Sequence, residues 1–189
     1  MVTAGIIVAV VVAVLAAVLI ALYNAMVRGR NLAEEAWSGI NVQLKRRHDL
    51  VPSLVSAVQG YAVHEKDVLS AVSRAREAGM QAAGGSARDV GEAEKGLSLA
   101  LGRLLAVAEA YPELKADGNF LHLQQSLSAL EDDLQMARRY YNGTVRDQNN
   151  RIMQFPGNLV AGWFGFHKME YFELSDESEA AAPAGYPAT

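Results

Sequence analysis

The chain has no cysteine, and only 5 of its 189 residues are proline. Without thiols there can be no disulfide framework, no thiolate zinc site and no cysteine nucleophile, which suits a reducing compartment such as the cytosol. Aromatics are also few, at 7%. A β-sandwich is disfavoured, because its strands need Val, Ile, Thr and aromatic residues in strict alternation, and the valines here are concentrated in one early stretch. A net charge of −4 leaves no basic surplus to neutralise phosphates, so a general nucleic-acid binder is excluded. The nucleotide and acyl-transfer signatures G-x-G-x-x-G, the P-loop and G-x-S-x-G are missing as well.

Metal chemistry fails on ligand count. His64-Glu65 opens an H-E-x-x-H pattern, but the second histidine is replaced by Val68. A di-iron bundle needs Glu-x-x-His pairs, whereas Lys45, Tyr61, Asn119 and Phe164 stand three residues before the four histidines. Glu109, Glu113, Glu131, Asp132 and Asp133 read as solvated helix faces rather than acid–base groups. No catalytic residue, cofactor or metal site is therefore expected.

What the chain has is apolar helix. Hydrophobic residues make up 51%, and no charge occurs from Met1 to Val27. Gly5 to Tyr23 is an apolar run of about 20 residues, ~30 Å as a helix, which matches a bilayer's hydrocarbon core. A signal peptide would have a basic start and a shorter apolar region. The expectation is a transmembrane helix held by membrane lipid over residues 5–23. Tyr23 and Asn24 fall at the interface, and Arg28 and Arg30 mark the cytoplasmic side, placing the N-terminus outside.

Beyond the span, Trp37, Ile40, Leu44, Val51, Leu54, Val58 and Tyr61 recur three and four apart, with Arg47 in one slot of the seam. Pro52 predicts a kink or restart near Asp49 to Val51. A second helix carries Leu69, Val72, Ala75 and Ala82 on a small-residue face until Gly84, Gly85 and Ser86 break it. Leu97, Leu101, Leu104, Ala108 and Tyr111 form a third. After the turn at Pro112, Asp117 and Gly118, with Asn119 as N-cap, a long helix runs on Leu123, Leu127, Leu130, Leu134, Ala137, Tyr141, Val145 and Ile152 to Phe155. The fold class is all-α: an N-terminal transmembrane helix continuing into an antiparallel up-down bundle of long, coiled-coil-like helices. The expected divisions are a short outer N-terminus and span (1–27), a cytoplasmic bundle (28–173) and an acidic, Ala/Pro-rich disordered tail (174–189).

Three clusters are candidate interaction sites. Lys45, Arg46 and Arg47 lie within the first seam; Lys45 is ~25 Å beyond Arg28 on a helix, too far for lipid contact from an upright rod. Arg47 either pairs with a carboxylate such as Asp132 or Asp133, or joins its neighbours in a recognition patch. Arg138 and Arg139, with Tyr140, Tyr141 and Asn142, form a second polar-aromatic cluster. Trp163, Phe164 and Phe166 form a third, which either folds back over a bundle end or meets a membrane interface or partner groove.

Several blocks resemble the LemA family of bacterial membrane proteins: YNAMVRGRNLAEEAWSGINVQLKRRHDLVPSLVSAVQGYAVHE, AEAYPELKADGNFLHLQQSL, ARRYYNGTVRDQNNRIMQFPGNLVAGWFGF and YFE. The chain departs from the family pattern at Asn41, where the family has Asp, and at Ser53, where it has Asn. The resemblance implies a single-pass helix, a short outer N-terminus and a cytoplasmic helical domain in a bacterial cell membrane, and no reaction. The functions to weigh are a non-enzymatic scaffold that self-assembles or binds protein partners, an accessory subunit of a membrane enzyme such as a quality-control protease, and a membrane-shaping protein.

Overall fold

The computed structural model describes residues 1–173, so the expected tail at 174–189 lies outside the described residues. Six helices and no strand occur among them: α1 (Val2–Gln59), α2 (Lys66–Ala82), α3 (Ala87–Glu109), α4 (Pro112–Lys115), α5 (Gly118–Met153) and α6 (Gly157–Phe164). The fold is all-α with helix-bundle packing, as the seams predict. The chain divides into two compact units. One holds Met1–Gln43 and Asp133–Tyr171; the other holds Leu44–Asp132 and, among the described residues, Phe172 and Glu173.

In the second unit the helices run alternately up and down. At one level Arg47 on α1 meets Glu94 on α3 and Glu131 on α5. At the opposite end Tyr61 donates to Asp117 just before α5, and Tyr111 just after α3 donates to Glu65 just before α2. α1 and α3 are therefore parallel, with α2 and α5 antiparallel to them. The core between them takes Val51, Leu54 and Val58 from α1, Leu69 and Val72 from α2, Leu97, Leu101 and Leu104 from α3, and Leu127 from α5. These are the seam residues, since spacing of three and four sets them on one face of each helix. Tyr61 is exposed and Ala62 buried in its place, because α1 has ended at Gln59 and the helical spacing no longer applies.

Helix ends follow local chemistry. Ser86 caps α3, its hydroxyl accepting the Asp89 amide at 3.2 Å. The cap of α5 is Asp117 rather than the expected Asn119: its carboxylate accepts the Phe120 amide at 2.9 Å, which places Asn119 inside the first turn. That hydrogen bond holds the Asp117 carboxyl below its ordinary range.

Of the kink or restart expected near Asp49 to Val51, the restart does not occur: α1 continues as one helix through Pro52. Proline supplies no N–H to the carbonyl four residues back, which belongs to His48. That carbonyl accepts instead from Arg76 Nε of α2 at 2.7 Å. A tertiary donor replaces the lost helical one.

In the first unit α5 runs antiparallel to α1. Trp37 and Tyr141 stack with ring centroids 5.1 Å apart, and Gln148 Nε2 donates to the Met26 carbonyl at 3.1 Å. Gln148 fills the seam slot between Val145 and Ile152, and it can reach the α1 backbone because Gly29 has no side chain where Gln148 and Arg151 approach. The apolar N-terminal part of α1 is long and hydrophobic enough to cross a bilayer, and its strongest window has no cover from the rest of the chain.

Two neighbouring positions on α3 should respond in opposite senses. Leu104 is fully buried, and Leu104→Ala should cost about 2–5 kcal/mol. At Gly102 an added Cβ meets nothing, so Gly102→Ala should stabilise by up to ~1 kcal/mol through helix propensity. Urea titration followed by circular dichroism measures both.

Candidate functional site: a buried ionic centre and an aromatic collar

The polar centre of the second unit starts from Arg47, a cation in an apolar seam with its side chain 2% exposed. Such a charge must be neutralised and hydrogen-bonded where it lies. Nη1 donates to Glu94 Oε2 at 2.9 Å, and Nη2 donates to Glu131 Oε1 at 2.7 Å and to the Ser98 hydroxyl at 2.8 Å. The other Glu94 oxygen lies 2.6 Å from His48 Nε2. A carboxylate oxygen accepts from the ring in the tautomer that carries its proton on Nε2. The Ser98 hydroxyl in turn donates a hydrogen bond to the Glu94 backbone carbonyl at 3.1 Å.

Four helices supply this centre. Glu94 occupies the α3 seam slot between Val90 and Leu97 and is completely buried. α2 closes over it at Gly79, where a Cβ would stand 2.7 Å from Glu94 Oε1 and 2.8 Å from His48 Nε2. The glycine is required by this approach of helix to side chains, not by its dihedral angles. Burial raises the Glu131 carboxyl above its ordinary range. Arg47 opposes that shift only in part, and the Glu94 and Asp132 carboxylates add to it.

The carboxylates that meet Arg47 are thus Glu94 and Glu131, in place of the expected Asp132 or Asp133. On α5 the position facing Arg47 is Glu131, half-buried, while Asp132 next to it faces solvent. Nor is Glu131 a simple solvated face. The basic triplet is split: Arg47 turns inward, whereas Lys45 and Arg46 point outward, Lys45 pairing with Asp49 at 3.2 Å. His48, Arg76, Gly79, Glu94 and Ser98 escaped the sequence reading, although Glu94 left a visible signal as an anion in a seam slot.

In the first unit Arg138 is half-buried and partnered, and Arg139 is exposed. Tyr141 donates to the Glu170 carbonyl at 2.9 Å, and Asn149 exchanges two hydrogen bonds with the Met169 backbone at 2.9 and 2.8 Å. These bonds fasten the segment after α6 back onto α5. Around α1 an aromatic collar gathers: Phe164 and Phe166 approach Tyr23 with centroids at 4.9 and 5.7 Å, and the Arg30 guanidinium lies 5.9 Å from the Phe166 ring. Trp163 stands outside the collar, exposed. A cleft of about 130 Å³ opens between α1 and the turn from α5 to α6, lined by Leu22, Met26, Arg151, Phe155 and Gly157 among others.

The ionic centre can register helices against one another: its Glu94 carboxylate and His48 imidazole are buried, and Glu131 stands half-buried at its edge. The LemA family model matches residues 36–184. The chain is 29% identical over 175 residues to magnetosome protein MamQ 2 of Paramagnetospirillum magneticum, an alignment covering 80% of this chain and 64% of the relative. It is 27% identical over 174 residues to magnetosome protein MamQ of Magnetospirillum gryphiswaldense, covering 79% and 64%. Protein LemA of Metamycoplasma hominis is 26% identical over 153 residues, covering 81% and 69%. The chain therefore spans just under two thirds of the length of the MamQ relatives.

Two measurements test the centre. Gly79→Ala should lower stability by about 1–3 kcal/mol through overpacking, against the ~1 kcal/mol that alanine normally adds in a helix; a gain in urea midpoint would show that α2 can give way. For Glu131, a raised folded-state pKa means that folding takes up a proton. Its ionisation weakens the fold at neutral pH, and stability returns as pH falls through the raised value towards the ordinary carboxylate range. As pH falls from neutral into the ordinary carboxylate range, the urea midpoint of the wild type should therefore rise relative to that of Glu131→Gln; a constant difference across that range would contradict the assignment.

Proposed function

The chain belongs to the LemA family, and from that premise we propose that it is a membrane-anchored, non-enzymatic helical scaffold acting through self-assembly or protein partners. The observation that carries this reading is the ionic centre. Glu94, fully buried, is held by Arg47 and His48, and both terminal nitrogens of Arg47 are held by Glu94, Glu131 and Ser98, so the most chemically potent groups of the second unit serve its architecture. What is left facing outward is helix surface, including Lys45, Arg46 and Arg139. In this reading residues 1–27 are the outer N-terminus and the span, residues 28–173 form a cytoplasmic body, and the location is the bacterial cell membrane. Support for the anchor comes from the uncovered apolar part of α1, and support for the orientation from Arg28 and Arg30 immediately after it.

Tethering also favours self-assembly, since copies held in one membrane meet at high effective concentration. The test places a photo-crosslinking amino acid at Arg46 and, separately, at Arg139 in cells. A ladder at multiples of the 20.3 kDa chain is the expected outcome for self-assembly. Discrete heterologous adducts would favour a protein partner, such as a membrane enzyme that the chain serves as an accessory subunit. No adduct from either position would remove the scaffold reading.

A further inference from the structure

The sequence from Ile152 to Phe166 contains no charged residue, although the chain carries 38 Lys, Arg, Asp and Glu in all (17 + 21). Within it α6 is apolar on two faces. Gly157, Val160 and Ala161 turn inward, where Val160 and Ala161 pack with Met26 and with the half-buried Leu19 and Leu22 of α1. On the opposite face of α6 Leu159 and Trp163, four residues apart, are 54% and 78% exposed, and Phe155 in the turn before the helix is 79% exposed. A helix that is apolar on its outward face as well as its inward one belongs in an apolar surrounding, and in water that outward surface would stay uncovered.

We infer that α6 is an interfacial membrane element: the tip of a hairpin whose outward stripe enters the lipid beside the anchor, at headgroup and upper acyl depth. This rests on the anchor reading above. The argument is positional. α6 is pinned to the final turns of the same apolar helix whose preceding turns have no protein cover, so Leu159 and Trp163, on its far side, lie beside the stretch of α1 that lipid would surround. Tyr23, with Phe164 and Phe166 against it, marks the depth at which aromatic side chains collect in membranes. Exposed cations bracket the apolar tip: Arg28 and Arg30 follow the anchor, Arg151 precedes α6, and Lys168 follows it. That arrangement fits lipid headgroups, anionic ones especially.

The backbone is prepared for a poorly hydrated site. Going in, the Asn158 and Leu159 amides donate to the Gln154 and Pro156 carbonyls. Coming out, Gly165 at φ 71° turns the chain in the left-handed region, and the Phe166 amide closes the helix on the Ala161 carbonyl at 3.0 Å. The chain then returns along α5, held by Asn149 and Tyr141. Insertion therefore needs no rearrangement of the hairpin.

The chain has two tryptophans, so the full-length protein with Trp37→Phe reports on Trp163 alone. It is reconstituted in vesicles of phosphatidylcholine and phosphatidylglycerol carrying nitroxide-labelled lipids of graded depth. A second protein, Leu15→Trp with Trp37→Phe and Trp163→Phe, reports on the anchor. The inference expects Trp163 emission to be quenched several-fold more by headgroup-proximal nitroxide than by aqueous iodide, and this preference to shrink in Phe155→Ser/Leu159→Ser while the anchor probe is unchanged. Iodide quenching of Trp163 with a lipid-quenched anchor probe would overturn the inference and leave the anchor standing. Shielding of Trp163 from both quenchers would also overturn it, since protein would then cover the stripe. An anchor probe that lipid does not quench would remove the anchor reading and the inference together.

Discussion

A guanidinium among leucines is the constraint on which the second unit is built. Arg47 occupies a seam position that every neighbouring turn fills with an aliphatic side chain, and removing it from water costs several kcal/mol unless partners are waiting. Those partners come from separate helices: Glu94 and Ser98 from α3, and Glu131 from α5. Apolar seams tolerate sliding by a turn, because one leucine replaces another. An ionic centre does not, since a slip of α3 or α5 would strand a charge. The centre is therefore best understood as fixing register, while the leucines above it supply most of the burial.

Around that centre the remaining anomalies become intelligible together. A glycine inside α2 weakens a helix by its backbone entropy, yet Gly79 lets α2 lie against Glu94 and His48. A proline inside α1 removes an amide, yet Arg76 on the same α2 supplies a donor to the carbonyl left over. Each residue breaks a local rule, and each is compensated within a few ångströms by a residue from another helix.

The helices were legible in the sequence because burial on one face leaves a period that survives without coordinates: Ile40, Leu44, Val51, Leu54 and Val58 on α1, and Leu127, Leu134, Tyr141 and Val145 on α5, are buried as their spacing implies. Arg47 was legible as an irregularity in that period. Its partners were not, because periodicity fixes which face a residue occupies and says nothing of the axial height at which α3 and α5 meet Arg47. Glu94 broke the α3 seam in the same way as Arg47 broke that of α1, and two opposite charges in opposed seams form a pair that sequence can suggest. Asn119 and Asp117 illustrate the smaller error, both being good caps two residues apart. For the aromatic stretch, composition showed that it seeks an apolar surrounding but could not say which face already had one; the contacts of Val160 and Ala161 with α1 settle that, and leave Trp163 on the other side.

The carbonyl of His48 has one further implication. An interior helix turn normally completes its own ladder, so it can form before anything docks on it. Here the turn before Pro52 is completed only when a side chain from α2 arrives. The later part of α1 and the α2 hairpin should accordingly open and close as one cooperative block, with amide protection lost together rather than fraying helix by helix.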